Sequence, residues 1–147
     1  MSAFADSSAL VKLYVDEPGH EFVRGYDDLL VSAIAQVEVP AALWRKVRVG
    51  DMDAEVAGTL VADFAADHRG TPDQAPRFTT VALDGRVLDM AAALAAAHTL
   101  RAYDAVQLAT ARLARDVVPT CTALLAYDIQ LRAAASASGF TLLPAAI

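Results

Sequence analysis

Short strand-like runs alternate with helical stretches along the whole of this chain, and that alternation limits the fold more than any other feature. The runs fall at about 2–6, at LLVS (29–32), at FTTVAL (78–83), at CTALLAY (121–127) and at FTLLP (140–144). All are too short for helices and rich in apolar or β-branched residues. Helical patterns lie between them. ALVKLY follows Asp6, and HEFVRGYDD (20–28) ends in acids. From Ala33 to about Val49, Ile34, Val37, Ala41 and Trp44 recur at helical spacing until Gly50 stops the run. Pro40 removes one backbone bond there, which predicts a kink or restart just after Glu38. Further helices are expected over 51–68, from the N-cap Asp84 to about His98, from Tyr103 to Arg115 opened by Asp104, and over 128–138 opened by Asp128. Strands separated by helices pair in parallel. The expected fold class is therefore α/β, with a central parallel sheet covered by helices on both faces.

A length of 147 residues suits one domain, 1–147, and the loop RGTPDQAPR (69–77) is too short to divide it. With 56% hydrophobic and 20% charged residues the chain is not of the disordered class. No apolar run reaches the length of a membrane span; AAALAAAHTL (91–100) comes nearest. MSAFADSSAL has no basic n-region and no long apolar segment, so no signal peptide is expected. The single cysteine, Cys121, permits no internal disulfide and sits in an apolar run as a small core residue. These features predict a cytoplasmic protein. The net charge of −6 argues against a broad basic face for nucleic acid, unless some of the acids hold metal.

Four acids stand apart from the solvated ones. Asp6 follows the first strand, Asp128 follows CTALLAY, Asp104 opens a helix, and Glu38 is the only charge in VSAIAQVEVPAALW (31–44). An N-cap role alone accounts for Asp6, Asp104 and Asp128. Glu38 is not at a cap; its ordinary alternative is a salt bridge, for example with Arg45. Topology favours a shared site. The carboxyl ends of parallel strands lie along one edge, where ligands bind, and Asp6 and Asp128 both follow strands. Four carboxylates together raise one another's pKa unless a cation intervenes. An all-oxygen set suits Mg²⁺, with Mn²⁺ as substitute, and a carboxylate-held Mg²⁺ suits hydrolysis of a phosphodiester by metal-activated water. His20, His68 and His98 are scattered and form no ligand cluster.

ADSSALVKLY, the Glu38 helix, LRAYDAVQLATA (100–111) and YDIQLRAAASASGF (127–140), in that order, resemble the motifs of PIN-domain ribonucleases, in particular the VapC-type toxins of bacterial toxin–antitoxin pairs. The resemblance implies a PIN-like three-layer α/β/α sandwich and a Mg²⁺-dependent endoribonuclease. By it Asp6 and Asp104 match the main metal ligands, Glu38 the second acid and Asp128 the fourth. Ser8 matches a small polar residue beside the site, or is simply a helix-start hydroxyl. Ala126 stands where the family often has Thr or Ser. The resemblance further implies an RNA substrate, an antitoxin protein whose C-terminal segment covers the acidic site, and a homodimer.

Candidates for RNA phosphate contacts are Lys12, Arg45, Lys46, Arg48, Arg101 and Arg112, although each also reads as an ordinary solvated charge. Tyr103 is expected as a half-buried core residue. Competing readings are a housekeeping PIN nuclease for RNA maturation, a signalling receiver domain and a catalytically inactive α/β binding module. A receiver needs a lysine on a late strand, and the last lysine here is Lys46.

Overall fold

The computed structural model describes residues 2–147. Its strands are β1 (Ala3–Ala5), β2 (Leu29–Ser32), β3 (Thr79–Val81), β4 (Ala123–Leu125) and β5 (Thr141–Leu143). They form one sheet in the order β3-β2-β1-β4-β5, with every pairing parallel. The helices are α1 (Ser7–Val11), α2 (His20–Arg24), α3 (Ala35–Arg48), α4 (Ala54–Arg69), α5 (Gly85–His98), α6 (Ala102–Val117) and α7 (Ile129–Ala137).

The pleat divides the core in two. Phe4, paired in register with Leu30 and Leu124, faces α5, α6 and α7 and packs with Leu94, Leu108 and Leu131. Ala3, Ala5, Leu29, Val31, Ala123 and Leu125 point the other way, onto Leu10, Val39, Leu43 and Phe64 of α1, α3 and α4. Because β1, β2 and β4 are buried on both faces, they read as continuous apolar runs rather than as alternating ones. The result is the expected three-layer α/β/α sandwich around a parallel sheet. Among the described residues, no helix is long and apolar enough to cross a membrane.

The sheet order also fixes where a site can form. From β1 the chain steps outward through β2 to β3, then returns to place β4 and β5 on the other side of β1. Connections thus leave β1 and β4 in opposite directions, and a crevice opens beyond their carboxyl ends. The Asp6 N–H donates to the Leu125 carbonyl at 3.1 Å, so the two strands stay joined up to the rim of that crevice.

Three local expectations need correction. α3 runs unbroken through Pro40. The bond that Pro40 cannot make belongs to the carbonyl of Gln36, an exposed residue whose backbone water can satisfy, so the helix continues. The buried row of α3 is Ala35, Val39 and Leu43, whereas Val37 and Trp44 are exposed. Small and branched side chains at i, i+4 and i+8 let α3 lie close on the sheet, and the bulkier row turns outward. Finally, α6 begins at Ala102 with Arg101 as its cap residue, so Asp104 lies inside the first turn and does not cap it.

Candidate functional site

Asp6 enters the crevice directly from β1. Its Oδ1 accepts the Ala9 N–H at 3.0 Å, capping α1, and the Ser8 hydroxyl at 2.7 Å. Ser8 Oγ in turn accepts the Tyr127 N–H at 3.1 Å, which ties Asp6 to the chain leaving β4. The capping role is therefore real, but it uses one carboxylate oxygen and leaves Oδ2 free. Asp128 repeats the arrangement after β4: Oδ1 accepts the Leu131 N–H at 2.9 Å and caps α7, while Oδ2 faces the crevice residue Arg101 at 3.2 Å.

Glu38 makes no ion pair among the described residues, so the alternative of a bridge to Arg45 is not realised. Its Oε1 accepts the Gln107 Nε2–H at 2.7 Å and the Ser7 hydroxyl at 3.1 Å. Gln107 also donates to Ser7 Oγ at 3.0 Å, closing a triangle among α3, α6 and α1. Gln107 is buried, and its Oε1 has no partner. Behind the triangle, Ser32 Oγ accepts the Ile34 N–H at 3.2 Å and lies 3.3 Å from Thr110 Oγ1, pinning the entry to α3 against α6. The question of why an apolar stretch carries Glu38 thus has a structural answer: dedicated neutral donors hold its carboxylate.

Burial pushes the Asp6 carboxyl up to about 7; the nearby charges of Glu38 and Asp104 add to this, and the bonds from Ser8 and Ala9 oppose it. Burial also raises Glu38, with Asp104 adding and Gln107 and Ser7 opposing. Asp104 is raised by burial and then by Asp128, against the pull of Arg101. Asp104 is thus the centre of the electrostatic network, coupled to Asp6, Glu38 and Asp128 in turn. All four predicted acids share the carboxyl edge of the sheet. They are not drawn together on one point: among the described residues no three acidic, His or Cys side chains are close enough to bind one ion. Mutual repulsion and the existing tethers account for the spread. The donor set nevertheless fits a hard divalent cation. It is all oxygen, Asp6 and Glu38 lack any cationic partner among the described residues, and Asp6 is buried at a pKa that a cation would lower.

The basic candidates divide. Lys12 and Lys46 both grip Glu17, at 3.0 and 2.8 Å, so they fasten the segment after α1 to the end of α3. Burial alone would raise the Glu17 carboxyl, but the two ammonium groups hold it low. Arg45, Arg48 and Arg112 form no ion pair among the described residues. A groove of about 430 Å³ is lined by Ser8, Lys12, Arg45 and Lys46, and Ser8, which bonds to Asp6, is its link to the acids. Tyr103 is 59% exposed, not half-buried in the core; it lies in the first turn of α6.

Sequence reasoning missed Gln107, Ser7, Thr110 and Ser32. A signal existed for Gln107: it lies three residues after Asp104, on the same helix face, as a long polar residue in a buried stripe that is apolar apart from it and Thr110. The hydroxyls gave none, because their partners come from distant parts of the chain.

The PIN domain family profile matches residues 3–136. The chain is 33% identical over 145 residues to Ribonuclease VapC46 of Mycobacterium tuberculosis, with 95% of each chain covered. Among solved structures it resembles VapC20 of Mycobacterium tuberculosis, a toxin that cleaves the sarcin–ricin loop, with a TM-score of 0.62 at 16% identity over 94% of this chain and 95% of that one. It also resembles a chain of a toxin–antitoxin complex from Klebsiella pneumoniae, with a TM-score of 0.55 at 16% identity over 99% and 95%. These last two likenesses concern the fold. The profile match over most of the chain and the curated relative make this chain a member of the PIN domain family, of VapC type.

Proposed function

We propose that residues 1–147 act as one domain, a Mg²⁺-dependent endoribonuclease that serves as the toxin of a toxin–antitoxin pair. One observation carries the reading. Asp6, Glu38, Asp104 and Asp128 share the sheet's switch-point edge, and Asp6 and Glu38 are desolvated with no cationic partner among the described residues. A purely structural set of caps and salt bridges would not bury Asp6 beside two other acids. The VapC46 relative, named a ribonuclease, and the toxin and toxin–antitoxin structures of like fold support the choice of substrate and partner.

In this reading Asp6 and Asp104 are the main ligands, Glu38 the second acid and Asp128 the fourth. A bound Mg²⁺ or Mn²⁺ supplies positive charge to a phosphoryl oxygen and acidifies bound water. The chain's own groups do the positioning. Ser8 and the Ala9 N–H fix the Asp6 carboxylate and leave Oδ2 open. Gln107 and Ser7 fix Glu38 through Oε1 and leave Oε2 open. The RNA backbone follows the groove between α1 and the end of α3. An antitoxin covers the same edge, the toxin acts in the cytoplasm, and it pairs as a homodimer.

The test incubates the purified protein, free of antitoxin, with total cellular RNA in Mg²⁺, in Mn²⁺ and in chelator, beside Asp104→Asn. Discrete metal-dependent fragments that the variant does not produce are the expected result, together with growth arrest on expression. If the variant and the wild-type protein leave identical RNA patterns under every condition, the reading is wrong.

A further inference from the structure

Among the described residues, Arg101 is the one basic side chain bonded to any of the four acids, and it bonds to two of them. Its Nη2 lies 3.3 Å from Asp104 Oδ2 and 3.2 Å from Asp128 Oδ2, so a single nitrogen spans both carboxylates. The side chain is 74% exposed. Although Arg101 occupies the cap position of α6, with extended backbone, its side chain makes no capping bond and reaches sideways to Asp128. Nε and Nη1 bond to no protein atom among the described residues. Most of the guanidinium fork is therefore unused, and it stands at the mouth of the crevice.

We propose that Arg101 is a substrate-binding residue that exchanges partners. Without a cation it serves as counter-ion to Asp104 and Asp128; when a divalent cation takes those carboxylates, its guanidinium binds a phosphate of the RNA. The proposal rests on the nuclease reading above and goes beyond it.

Magnitudes favour the exchange. An ion pair this exposed is worth only about 0–1 kcal/mol, so Arg101 is a weak competitor for the carboxylates. Once they are neutralised by another cation, nothing holds the guanidinium there, and it would repel the ion. A phosphate offers the planar, two-oxygen partner that an arginine fork fits better than a lysine does. A phosphate contact of this kind strengthens binding to any sequence, and it becomes available only at a loaded site. Binding of the cation and of RNA are then mutually favourable, and by linkage each raises the affinity for the other.

The test uses the full chain with Arg101→Ala, and Arg86→Ala as a variant that loses the same charge from a residue paired only with Asp84. Mg²⁺ affinity is measured by calorimetry without RNA. Arg101→Ala is expected to bind Mg²⁺ several-fold more tightly than wild type, and Arg86→Ala equally to it. Binding of a short 2′-O-methyl RNA is then followed against salt. With Mg²⁺ the slope of log affinity on log salt falls by about 0.7 in Arg101→Ala, the value for one phosphate on a single strand. Without metal the two proteins have the same slope. Unchanged or weaker Mg²⁺ binding in Arg101→Ala, or equal slopes in Mg²⁺, overturns the exchange while the nuclease reading stands. A wild-type protein that neither binds Mg²⁺ nor cleaves RNA overturns both.

Discussion

Gln107 donates to Glu38 Oε1 at 2.7 Å across the gap between α6 and α3, and the same amide nitrogen donates to Ser7 Oγ at 3.0 Å. A neutral amide therefore holds a carboxylate whose charge burial disfavours. Gln107 is a positioning residue, acting through Glu38. In Gln107→Leu the carboxylate keeps only the Ser7 bond, and the partnerless Oε1 disappears from the core. The two effects on stability oppose each other: a bond to a charged group contributes about 1.5–3 kcal/mol, and an orphaned buried oxygen costs about 1–3 kcal/mol. The expected outcome is a melting temperature near that of wild type with cleavage reduced roughly tenfold, chiefly in kcat. Gln107→Glu, which sets a second carboxylate against Glu38, should lose both stability and activity. Melting curves and kinetics on the same samples check this; a Gln107→Leu protein of full activity would show that Glu38 needs no such support.

Asp6 makes the metal-free protein less stable as pH rises. Its carboxyl titrates near 7 in the folded chain against 3.8 ordinarily. Between those values the folded state keeps the proton that the unfolded state releases, so stability falls across this range and the penalty is complete above about 7. The full effect is of order 4 kcal/mol. Asp6→Asn keeps an oxygen for Ser8 and the Ala9 N–H but carries no charge. In chelator it should melt above wild type at about pH 8 and match it at about pH 4, the pH limits being those of the linkage. Denaturant unfolding at both pH values measures the difference. A variant destabilised at pH 8 would mean that the carboxylate is already compensated in the folded chain.

The strand–helix alternation made the architecture legible, because five short apolar runs separated by helices leave a parallel sheet as the only economical arrangement. Asp6 and Asp128 were legible for the same reason: a residue just after a parallel strand lies on the carboxyl edge whatever its side chain does. The orientation of α3 was not legible. Ile34, Val37 and Trp44 gave the more hydrophobic stripe, but the helix buries Ala35, Val39 and Leu43, since close approach to the sheet rewards fit over bulk. Nor could the Glu38 triangle be read, because Ser7 and Gln107 lie 31 and 69 residues away in the chain. Nor was the exposure of Tyr103 legible, because its place in the first turn of α6 does not by itself say which way the ring points.

Arg132 locks the carboxyl ends of β4 and β5 together. The residue is 6% exposed, and its guanidinium donates to the carbonyls of Ala126 at 2.9 Å, Leu143 at 3.3 Å, Pro144 at 2.7 Å and Ala145 at 3.4 Å, closing the chain that leaves β4 against the chain that leaves β5. It has no carboxylate partner among the described residues, so carbonyl dipoles alone compensate the buried charge. Lysine cannot span these acceptors with one ammonium group. Arg132→Lys should cost about 2–3 kcal/mol and Arg132→Ala more, because four carbonyls lose a bond from the guanidinium. Equilibrium denaturation gives the figures. Since Asp128 begins the same helix, Arg132→Ala should also weaken cleavage, whereas a variant with wild-type stability would make the carbonyl cage dispensable.

Metal should stabilise the fold through the same acids that it needs. A ligand that binds only the folded chain contributes about 2.7 kcal/mol at a hundred times its dissociation constant, which for a chain of this length raises the melting temperature by roughly 5–10 °C. The gain should be larger at high pH, where Asp6 is ionised and its burial penalty is relieved by the cation, than near pH 5, where its proton must first be displaced. Asp104→Asn removes the carboxylate that couples to all three other acids, so it should lose most of the gain while remaining folded, its half-buried side chain still able to accept from Arg101. Thermal melts across a Mg²⁺ series at two pH values, wild type beside variant, measure both effects. Equal metal-induced shifts in the two proteins would place the cation away from Asp104 and remove the acidic edge from consideration as its site.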